Sequence, residues 1–566
     1  MAVALATGPA FAQGIAYSVK IDAPRPLAQL LQDNLDLLRW RGNPRLDLDQ
    51  LQRLVKLAPE QARTLIATEG YYAPKVAAGL DTSGPEPLAR IIVDAGEPVL
   101  VGEVELVLTG FASDAPLRKG WSLPVGKVFR QADWEAAKRK LLRQAMLTRY
   151  PRAHLVESSA TVDPEVRRAL LHVAVDAGPE VHFGALKIEG ARRYRPAIVE
   201  NLHQIKPGDD YSETALQAFQ GRLQDTGYYS GVEVSADLSG VALDETQAVT
   251  VPVLVRLTEN KYRNVSAGLG YSTNTGNRAQ LSYDDLSVFG LRMKSAITLE
   301  TRKQAAHADF YYPTTTAGYN DSVGTKFERT DLNGEVTSVA SIAAKRAWGT
   351  PLLERSVTLE FLTEQKAVAG ELSSSSKSLP LTYSLTKRHL DSLLFPADGY
   401  VLNAQLGGAL LPILTDRPFV RASGKFIAYR PLSSTATLIL RGEAGALASR
   451  AKDGVPGTYL FRAGGDQSVR GYGFQQLGVQ EGAAIVGGRY LLAASAEYDY
   501  WFKPAWGAAV FYDAGNAGDI FKDLKPKSGY GVGARWRSPV GPINIDAAYG
   551  HAIRKYRIHF SLGFTF

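Results

Sequence analysis

The chain has 566 residues, with 64 Lys and Arg against 57 Asp and Glu for a net charge of +7, and it contains no cysteine. The lack of cysteine excludes disulfides and thiolate metal sites, and the lack of basic clusters interleaved with aromatic residues disfavours nucleic-acid binding. No run of about 18 apolar residues is present, which excludes a membrane-spanning helix but not a membrane β-barrel, whose strands alternate apolar and polar residues.

Motifs that would indicate catalysis are missing as well. The eight histidines are scattered, with no HExxH or HxxxH pair to bring two metal ligands onto one helical face. The chain contains neither a GxSxG nucleophile turn nor a GxxxxGK phosphate loop. We therefore predict that the protein is not an enzyme and uses no catalytic residue, no metal and no cofactor.

Residues 1–14 are similar to the end of a secretory signal peptide. A short apolar run precedes Ala10-Phe11-Ala12, an A-x-A cleavage pattern, although the usual basic residues before the run are missing. We predict a signal-peptide remnant, with the mature chain beginning near Gln13. The alternative is a disordered tail.

From about residue 15 to residue 261 the chain mixes helical and strand patterns, and the mixture repeats. The sequence VDAG at Val93–Gly96 recurs at Val175–Gly178, an offset of 82 residues, and Gly102 matches Gly184 at the same offset. Amphipathic helices precede each predicted pair of strands. We predict three units with the order strand, helix, helix, strand, strand, rather than three unrelated α+β modules. Their bounds are 15–101, 102–182 and 183–261, and their free sheet edges suit the binding of an extended chain.

From Tyr262 onward the helical periodicity gives way to alternation of apolar and polar residues. A soluble β-sandwich would alternate too, but here the polar face is rich in small and charged residues and the apolar face ends in aromatic residues, which favours a barrel in lipid. Turn signals predict sixteen antiparallel strands over residues 262–566. The last strand alternates most regularly, and its apolar positions are Tyr556, Ile558, Phe560, Leu562, Phe564 and Phe566.

The longest predicted connection joins strands eleven and twelve and is the sixth outward-facing loop. It contains Phe461–Phe474, FRAGGDQSVRGYGF, whose glycines and Asp466 disfavour a strand. Loops of this composition are usually exposed turns, in which Arg470 would be solvated and mobile. The other interpretation is that Arg470, flanked by Val469 and Gly471, is a charged tip that reaches a specific partner.

Several motifs, in this order along the chain, resemble those of the Omp85 superfamily of outer-membrane assembly and secretion proteins. Val469-Arg470-Gly471-Tyr472 is similar to the VRG motif of its sixth loop, in which Phe or Tyr follows the glycine. The stretch FYDAG from Phe511 to Gly515 is similar to its F-x-D-x-G strand motif, and Glu497 matches an acidic position on the preceding strand. The last strand, ending at Phe566, is similar to the signal by which barrels are recognised for insertion. The three N-terminal units resemble POTRA domains.

The resemblance implies three tandem POTRA domains in the periplasm, followed by a 16-stranded transmembrane β-barrel in the bacterial outer membrane. It implies that Arg470 acts as a latch, held in the lumen by Glu497 and Asp513 through charge-assisted hydrogen bonds. A seam between the first and last strands is expected to be weak, because glycines there remove side-chain packing. These seam glycines are Gly268, Gly270 and Gly563.

Within the superfamily, three units and this chain length most resemble the TamA group, the outer-membrane subunits of translocation and assembly modules. That resemblance implies a TamB-like, inner-membrane-anchored partner docked by the first POTRA unit. It also implies unfolded outer-membrane clients such as autotransporters, and contact with the lipid bilayer but not with nucleic acid. The predicted function is insertion of β-barrel clients. The alternative is a two-partner secretion pore that exports a large adhesin or haemolysin, and a passive porin would need no POTRA units.

Overall fold

The computed structural model describes residues 15–243, 245, 247–368, 372–539 and 541–562. The predicted signal-peptide remnant, residues 1–14, lies outside the described residues. The chain divides into two compact units. One holds the segments up to Glu189, Ile205–Gly221 and Glu233–Arg256, and the other holds Gly190–Gln204, Arg222–Val232 and the chain from Leu257 onward.

Three repeats of strands and helices precede the barrel. Each contains a three-stranded sheet in which the third strand lies in the middle and runs parallel to the first. The first repeat comprises β1 Ser18–Asp22, α1 Arg25–Asn34, α2 Asp36–Arg39, α3 Leu48–Thr68, β2 Lys75–Asp81 and β3 Leu88–Asp94. The second comprises β4 Leu100–Thr109, α4 Ala115–Gly120, α5 Gln131–Met146, β5 His154–Asp163 and β6 Arg168–Asp176. The third comprises β7 Val181–Glu189, α6 Ala197–Glu200, α7 Glu213–Asp225, β8 Tyr229–Ala236 and β9 Val249–Glu259.

The repeated sequence landmarks have the same structural role in each repeat. Asp94 and Asp176 each accept a hydrogen bond from the N–H of the glycine two residues later, and both glycines have a positive φ. This Asx turn ends the central strand, which explains why VDAG recurs. Gly102 and Gly184 lie where the opening strands β4 and β7 change register, as glycines at β-bulges commonly do.

The helices pack one apolar face against each sheet, and the buried positions follow helical spacing. In α5 these are Trp134, Ala137 and Leu141, and in α7 they are Leu216, Phe219 and Leu223. The first repeat departs from the pattern because it has the additional helix α2, in which Leu37 is buried. The predicted boundaries after residues 101 and 182 fall two residues inside β4 and β7, so the repeats divide before Leu100 and Val181. Among the described residues, no helix combines the length and the apolar character that crossing a membrane requires.

The chain from Arg263 builds an antiparallel sheet in which every barrel strand pairs with its sequence neighbours. Its strands before the long loop are β10 Arg263–Ser272, β11 Gly276–Val288, β12 Leu291–Glu300, β13 Lys303–Tyr311, β14 Asn320–Leu332, β15 Glu335–Thr350, β16 Leu353–Val368, β17 Ser374–Ser378, β18 Leu381–Leu390, β19 Gly399–Ala409, β20 Phe419–Ser433 and β21 Ala436–Ser449. The loop contains the small hairpin β22 Val479–Glu481 and β23 Ala484–Val486. The strands after it are β24 Tyr490–Lys503, β25 Trp506–Gly518, β26 Lys527–Ser538, β27 Gly541–Gly550 and β28 Lys555–Leu562.

The barrel has sixteen strands, because β17 and β18 are two parts of one strand. Both pair with β16, β17 opposite Leu362–Lys366 and β18 opposite Leu353–Leu359. The break falls beside Pro380, which has no N–H to donate to the ladder. The predicted fold class, POTRA repeats followed by a 16-stranded antiparallel barrel, is confirmed.

Candidate functional site

The connection between β21 and β24, residues 450–489, is here called loop 6. It carries its own apolar cluster, which packs against residues of β19, β20, β21, β24 and β25. Val469 and Tyr472 in this cluster are fully buried, and Arg470 between them is 1% exposed. The loop therefore packs against the barrel wall instead of extending into solvent.

Arg470 is bound by the two carboxylates that the sequence motifs single out. Its Nε and Nη2 donate to the two oxygens of Asp513 at 2.8 and 2.9 Å, and its backbone N–H donates to Asp513 Oδ2 at 2.9 Å. Its Nη1 donates to Glu497 Oε2 at 2.7 Å. Glu497 and Asp513 come from neighbouring strands, β24 and β25, and both face inward because they alternate with exposed residues. The bidentate geometry with Asp513 is specific to a guanidinium group.

Further charged residues in this cluster, among them Asp546 and Arg535, are not singled out by the sequence motifs. Asp546 on β27 accepts from Arg470 Nη1 at 3.1 Å and from Arg535 Nη1 at 2.6 Å. Arg535 on β26 also donates to Glu497 Oε1 at 2.6 Å. The signal in the sequence is weak: Asn544 and Asp546 share one face of an otherwise apolar strand. Arg441 Nη2 on β21 donates to Glu497 Oε2 at 3.1 Å as well. Arg470 thus joins a network that spans five consecutive barrel strands, β21 and β24 to β27.

The motif at residues 469–472 also makes close contacts with the barrel wall. The guanidinium carbon of Arg470 lies 3.4 Å from the centre of the Phe511 ring, an attractive cation–π geometry. Gly471 has a φ of +91°, and a Cβ there would lie 2.7 Å from the N atom of Gly550. A side chain at Gly529 would overlap the carbonyl oxygen of Arg470. Glycine is therefore required on both sides of the contact.

The remaining motif residues also lie on the inner side of the barrel wall. The hydroxyl of Tyr472 donates to Ser528 O at 3.0 Å and accepts from the N–H of Ala552 at 3.0 Å. Gly515 is buried on β25, where a Cβ would lie 2.7 Å from that of Ala493. The sequence-predicted latch, its acceptors and the strand motif are therefore brought together in one site.

A second anchor ties the first half of loop 6 to β15 and β16. Glu364, 2% exposed, accepts from the N–H groups of Gly457 and Thr458 at 2.6 and 3.0 Å and from the Thr458 hydroxyl at 2.8 Å. Arg462 Nη2 donates to the equally buried Glu335 at 2.7 Å. The loop therefore has two anchors on separate groups of strands, of which only the Arg470 anchor has a motif in the sequence.

The hairpin of loop 6 is held by half-buried ion pairs. Lys366 and Lys452 donate to the two oxygens of Glu481 at 2.7 and 3.3 Å, and Lys452 also reaches Asp519 at 3.2 Å. Burial alone would raise the pKa of Glu481, but the hydrogen bonds and charges of the two lysines outweigh it and hold the pKa below its usual range.

The seam residues lie apart from this site. Every residue of β10 from Arg263 to Tyr271 is exposed, and a Cβ at Gly268 or Gly270 would meet no atom within 4 Å. Among the described residues, β28 is paired with β27, and no ladder joins it to β10. Tyr556, Ile558 and Leu562 are exposed on the outer face, whereas Phe560 is half-buried. Gly563, Phe564 and Phe566 lie outside the described residues.

One cluster in the third repeat contains metal-ligating residue types. Glu180, His182 and Asp210 each offer an atom to a common point. Arg149, however, pairs with Glu180 at 3.3 Å and with Asp210 at 2.7 Å, so an arginine already neutralises both carboxylates. The arrangement is that of a structural ion-pair network between the turn that holds Arg149 and the segments that hold Glu180 and Asp210.

Comparison with known proteins gives matches over both parts of the chain. The Omp85 superfamily domain matches residues 252–566, and the POTRA family, surface antigen variable number repeat, matches residues 181–260. The outer membrane protein assembly factor BamA of Nitratidesulfovibrio vulgaris is 23% identical over 401 residues, which are 67% of this chain and 49% of that protein. The chain thus spans about half the length of this curated relative.

Solved structures resemble the fold as well. The crystal structure of Haemophilus ducreyi BamA lacking POTRA domains 1–3 superposes with a TM-score of 0.70 at 17% identity, covering 82% of this chain and all of that one. CdiB from Acinetobacter baumannii gives a TM-score of 0.42 at 14% identity, over 94% of this chain and 97% of that one.

Proposed function

Because the chain belongs to the Omp85 superfamily of outer-membrane β-barrel proteins with periplasmic POTRA domains, we propose that it folds and inserts β-barrel clients into the outer membrane. The observation that carries this proposal is the first barrel strand, β10, which is exposed from Arg263 to Tyr271 on both of its faces. An exposed edge strand is a template for pairing with another chain. An incoming client strand would add to β10 by the hydrogen bonding that joins any two antiparallel strands.

Joining the two sides of the seam tests this proposal. Thr273 Oγ1 and the Phe560 N atom are 3.3 Å apart, so cysteines at these two positions are within reach of a short bifunctional crosslinker. The natural chain has no cysteine, so no other thiol competes. We expect the crosslinked protein in liposomes to lose the ability to fold an added, urea-denatured outer-membrane barrel, measured by resistance of the folded client to SDS.

The matched control is a pair on strands that are already laddered. Leu269 and Ala279 are direct partners on β10 and β11, so crosslinking cysteines there should leave client folding unchanged. Client folding that persists when Thr273 and Phe560 are joined would refute insertion through the seam. Export of a soluble protein that continues under the same crosslink would favour the alternative, a two-partner secretion pore.

We further propose that the first POTRA repeat docks a TamB-like partner, and that the sheet edges of the repeats bind extended segments of this partner or of clients. Each three-stranded sheet has two edges, and in the second repeat the edge strand β5 exposes Leu155 and Val156. An edge strand that carries exposed apolar residues supports binding by strand addition, with main-chain hydrogen bonds for affinity and side-chain contacts for selectivity. The finer assignment to the TamA group rests on the resemblance of residues 469–482 and 510–518 to that group, and capture of a TamB-like partner tests it.

A further inference from the structure

One short segment of loop 6, Asp466–Gly471, is hydrogen-bonded to both sides of the seam. On the β10 side, Asn274 in the turn that follows the strand donates its Nδ2 to Asp466 Oδ1 at 2.6 Å. On the β28 side, the N–H of Gly471 donates to Nε2 of His559 at 2.9 Å. His559 is 2% exposed, so this bond is shielded from water. Two attachments five residues apart therefore link the first strand to the last.

Direct contact between the two edges is small by comparison. Within the described part of the chain, the bond from the Phe560 N–H to Thr273 Oγ1, 3.3 Å long, joins them directly. A bond to a side-chain hydroxyl at this distance is weaker than one to a carboxylate at 2.6 Å. The hydrogen bond from loop 6 to the first edge is thus stronger than the direct bond between the two edges, at the outward end of the barrel where they meet.

The segment is also fixed next to each of its two attachments. Arg470 lies immediately before Gly471 and is fixed by Asp513 and Glu497. At the other end, Gly465 has a φ of +107°, and a Cβ there would lie 3.4 Å from Asn274 Oδ1. A displacement of the latch would therefore reach the bond at Gly471 directly. It would reach the bond at Asp466 through a turn closed by hydrogen bonds from Gly465 N–H to Val469 O at 3.3 Å and from Ser468 N–H to Gly465 O at 3.4 Å.

We propose that Asp466–Gly471 is a strap that holds the outward end of the seam closed, with Asn274 and Asp466 as its positioning residues. Loop 6 releases the strap before a client strand pairs with β10. The latch and the seam are then one device, in which Arg470 fixes the strap to the barrel wall. This inference rests on the proposed function for its purpose, but the strap itself is detectable without any client.

The test measures the width of the seam in the purified protein in lipid nanodiscs. Spin labels on cysteines at Leu269 of β10 and Ile558 of β28, both exposed on the outer face, report the distance across the seam by pulsed electron resonance. We expect Asn274→Ala to raise the ratio of open to closed seams about tenfold, because it removes a hydrogen bond to a charged group. Resistance of the barrel to unfolding in SDS at room temperature verifies that each variant is folded.

Two further variants make the result specific. Asn274→Asp places a carboxylate against Asp466 and should open the seam, and adding Asp466→Asn restores a donor facing a carboxylate and should close it again. The matched control is Asn333→Ala. Asn333, between β14 and β15, donates in the same way to the carbonyl oxygens of Phe474 and Gln475, which lie outside the strap. This substitution should leave the distance across the seam unchanged.

The proposal is wrong if Asn274→Ala leaves the distances as they are in the wild type, or if Asn333→Ala widens the seam as much. It is also wrong if the exchanged pair fails to close the seam. These outcomes are independent of the crosslink between Thr273 and Phe560. If the crosslink blocks client folding but Asn274→Ala leaves the seam unchanged, the strap is refuted and the proposed insertase function stands. If Asn274→Ala opens the seam but the crosslink has no effect on client folding, the insertase function is refuted and the strap stands.

Discussion

At the scale of single residues, the choice of arginine at position 470 follows from the number of acceptors around it. Asp513 accepts from two guanidinium nitrogens and Glu497 from a third, so the planar group directs its donors to two strands at once. A buried ion pair of this kind adds little net stability over an apolar replacement, but removing one partner leaves buried charges without compensation. We therefore propose that the arginine acts by fixing the position of loop 6.

Replacing Arg470 should release the loop. We expect Arg470→Ala to destabilise the latch by about 3–5 kcal/mol, because Asp513, Glu497 and Asp546 remain buried without their cation. Arg470→Lys should recover only part of this, since an ammonium group cannot form the bidentate pair. The measurement is the rate of trypsin cleavage after Arg489, beyond the Arg470 anchor, together with the folding of client barrels. Unchanged cleavage and unchanged client folding in Arg470→Ala would contradict the latch.

At the scale of elements, loop 6 behaves as a connection with two independent anchors. The first, formed by Glu364 and Glu335, holds residues 457–462 against β15 and β16, and the second is the Arg470 site on β24 to β27. Since the two anchors share no side chain, each half of the loop should respond to its own anchor.

A substitution at the first anchor separates the two halves. We expect Glu364→Ala to speed trypsin cleavage after Arg450, because the N–H groups of Gly457 and Thr458 lose their acceptor. Cleavage after Arg489, beyond the Arg470 anchor, should stay at the wild-type rate. Glu354→Ala is the control, since Glu354 is itself exposed on the same strand and makes a long pair with Arg388, at 3.6 Å. Equal acceleration at both sites would mean that the loop is released as one body.

The first strand allows a second prediction at this scale. A Cβ at Gly270 would meet no atom within 4 Å, so Gly270→Val is sterically tolerated. The β-propensity of valine is more favourable than that of glycine by up to about 1 kcal/mol. Valine should therefore stiffen the strand and slow the capture of client strands. Gly442→Val is the control, because Gly442 is equally unobstructed but lies on β21, which is laddered on both sides. Equal rates of client folding in the two variants would argue against a role for flexibility in β10.

The sequence predicts what is local and misses what depends on distant contacts. Strand number follows from alternation and turn residues, and Glu497 and Asp513 follow from motifs on regular strands. Asp546 is missed because nothing near it in the sequence reveals that β27 faces the tip of loop 6. The hairpin β22–β23 has only three residues in each strand, and one of its bonds goes from the Ile485 N–H to Asn333 O, far away in the sequence. Such short strands have no periodicity of their own.

At the scale of the whole molecule, the repeats are linked to one another by backbone hydrogen bonds. The N–H of Val99 donates to Gly70 O across the first junction, and that of Val181 donates to Arg149 O across the second. Arg152 also donates through two nitrogens to Val241 O, at 3.1 and 2.6 Å. Repeats joined in this way are not independent domains on flexible linkers, because each restricts the orientation of the next.

Deletion of the first repeat tests whether this repeat captures the partner. Removing residues 15–96 should abolish capture of a TamB-like partner, because the edges of its sheet, β1 and β2, are lost. The sixteen barrel strands and loop 6 lie outside the deletion, so the distance between labels at Leu269 and Ile558 should stay unchanged. Co-purification with the partner and the label distance are measured on the same preparation. A truncated chain that still captures the partner would move the docking site to the second or third repeat, whereas a widened seam would mean that the first repeat acts on the barrel.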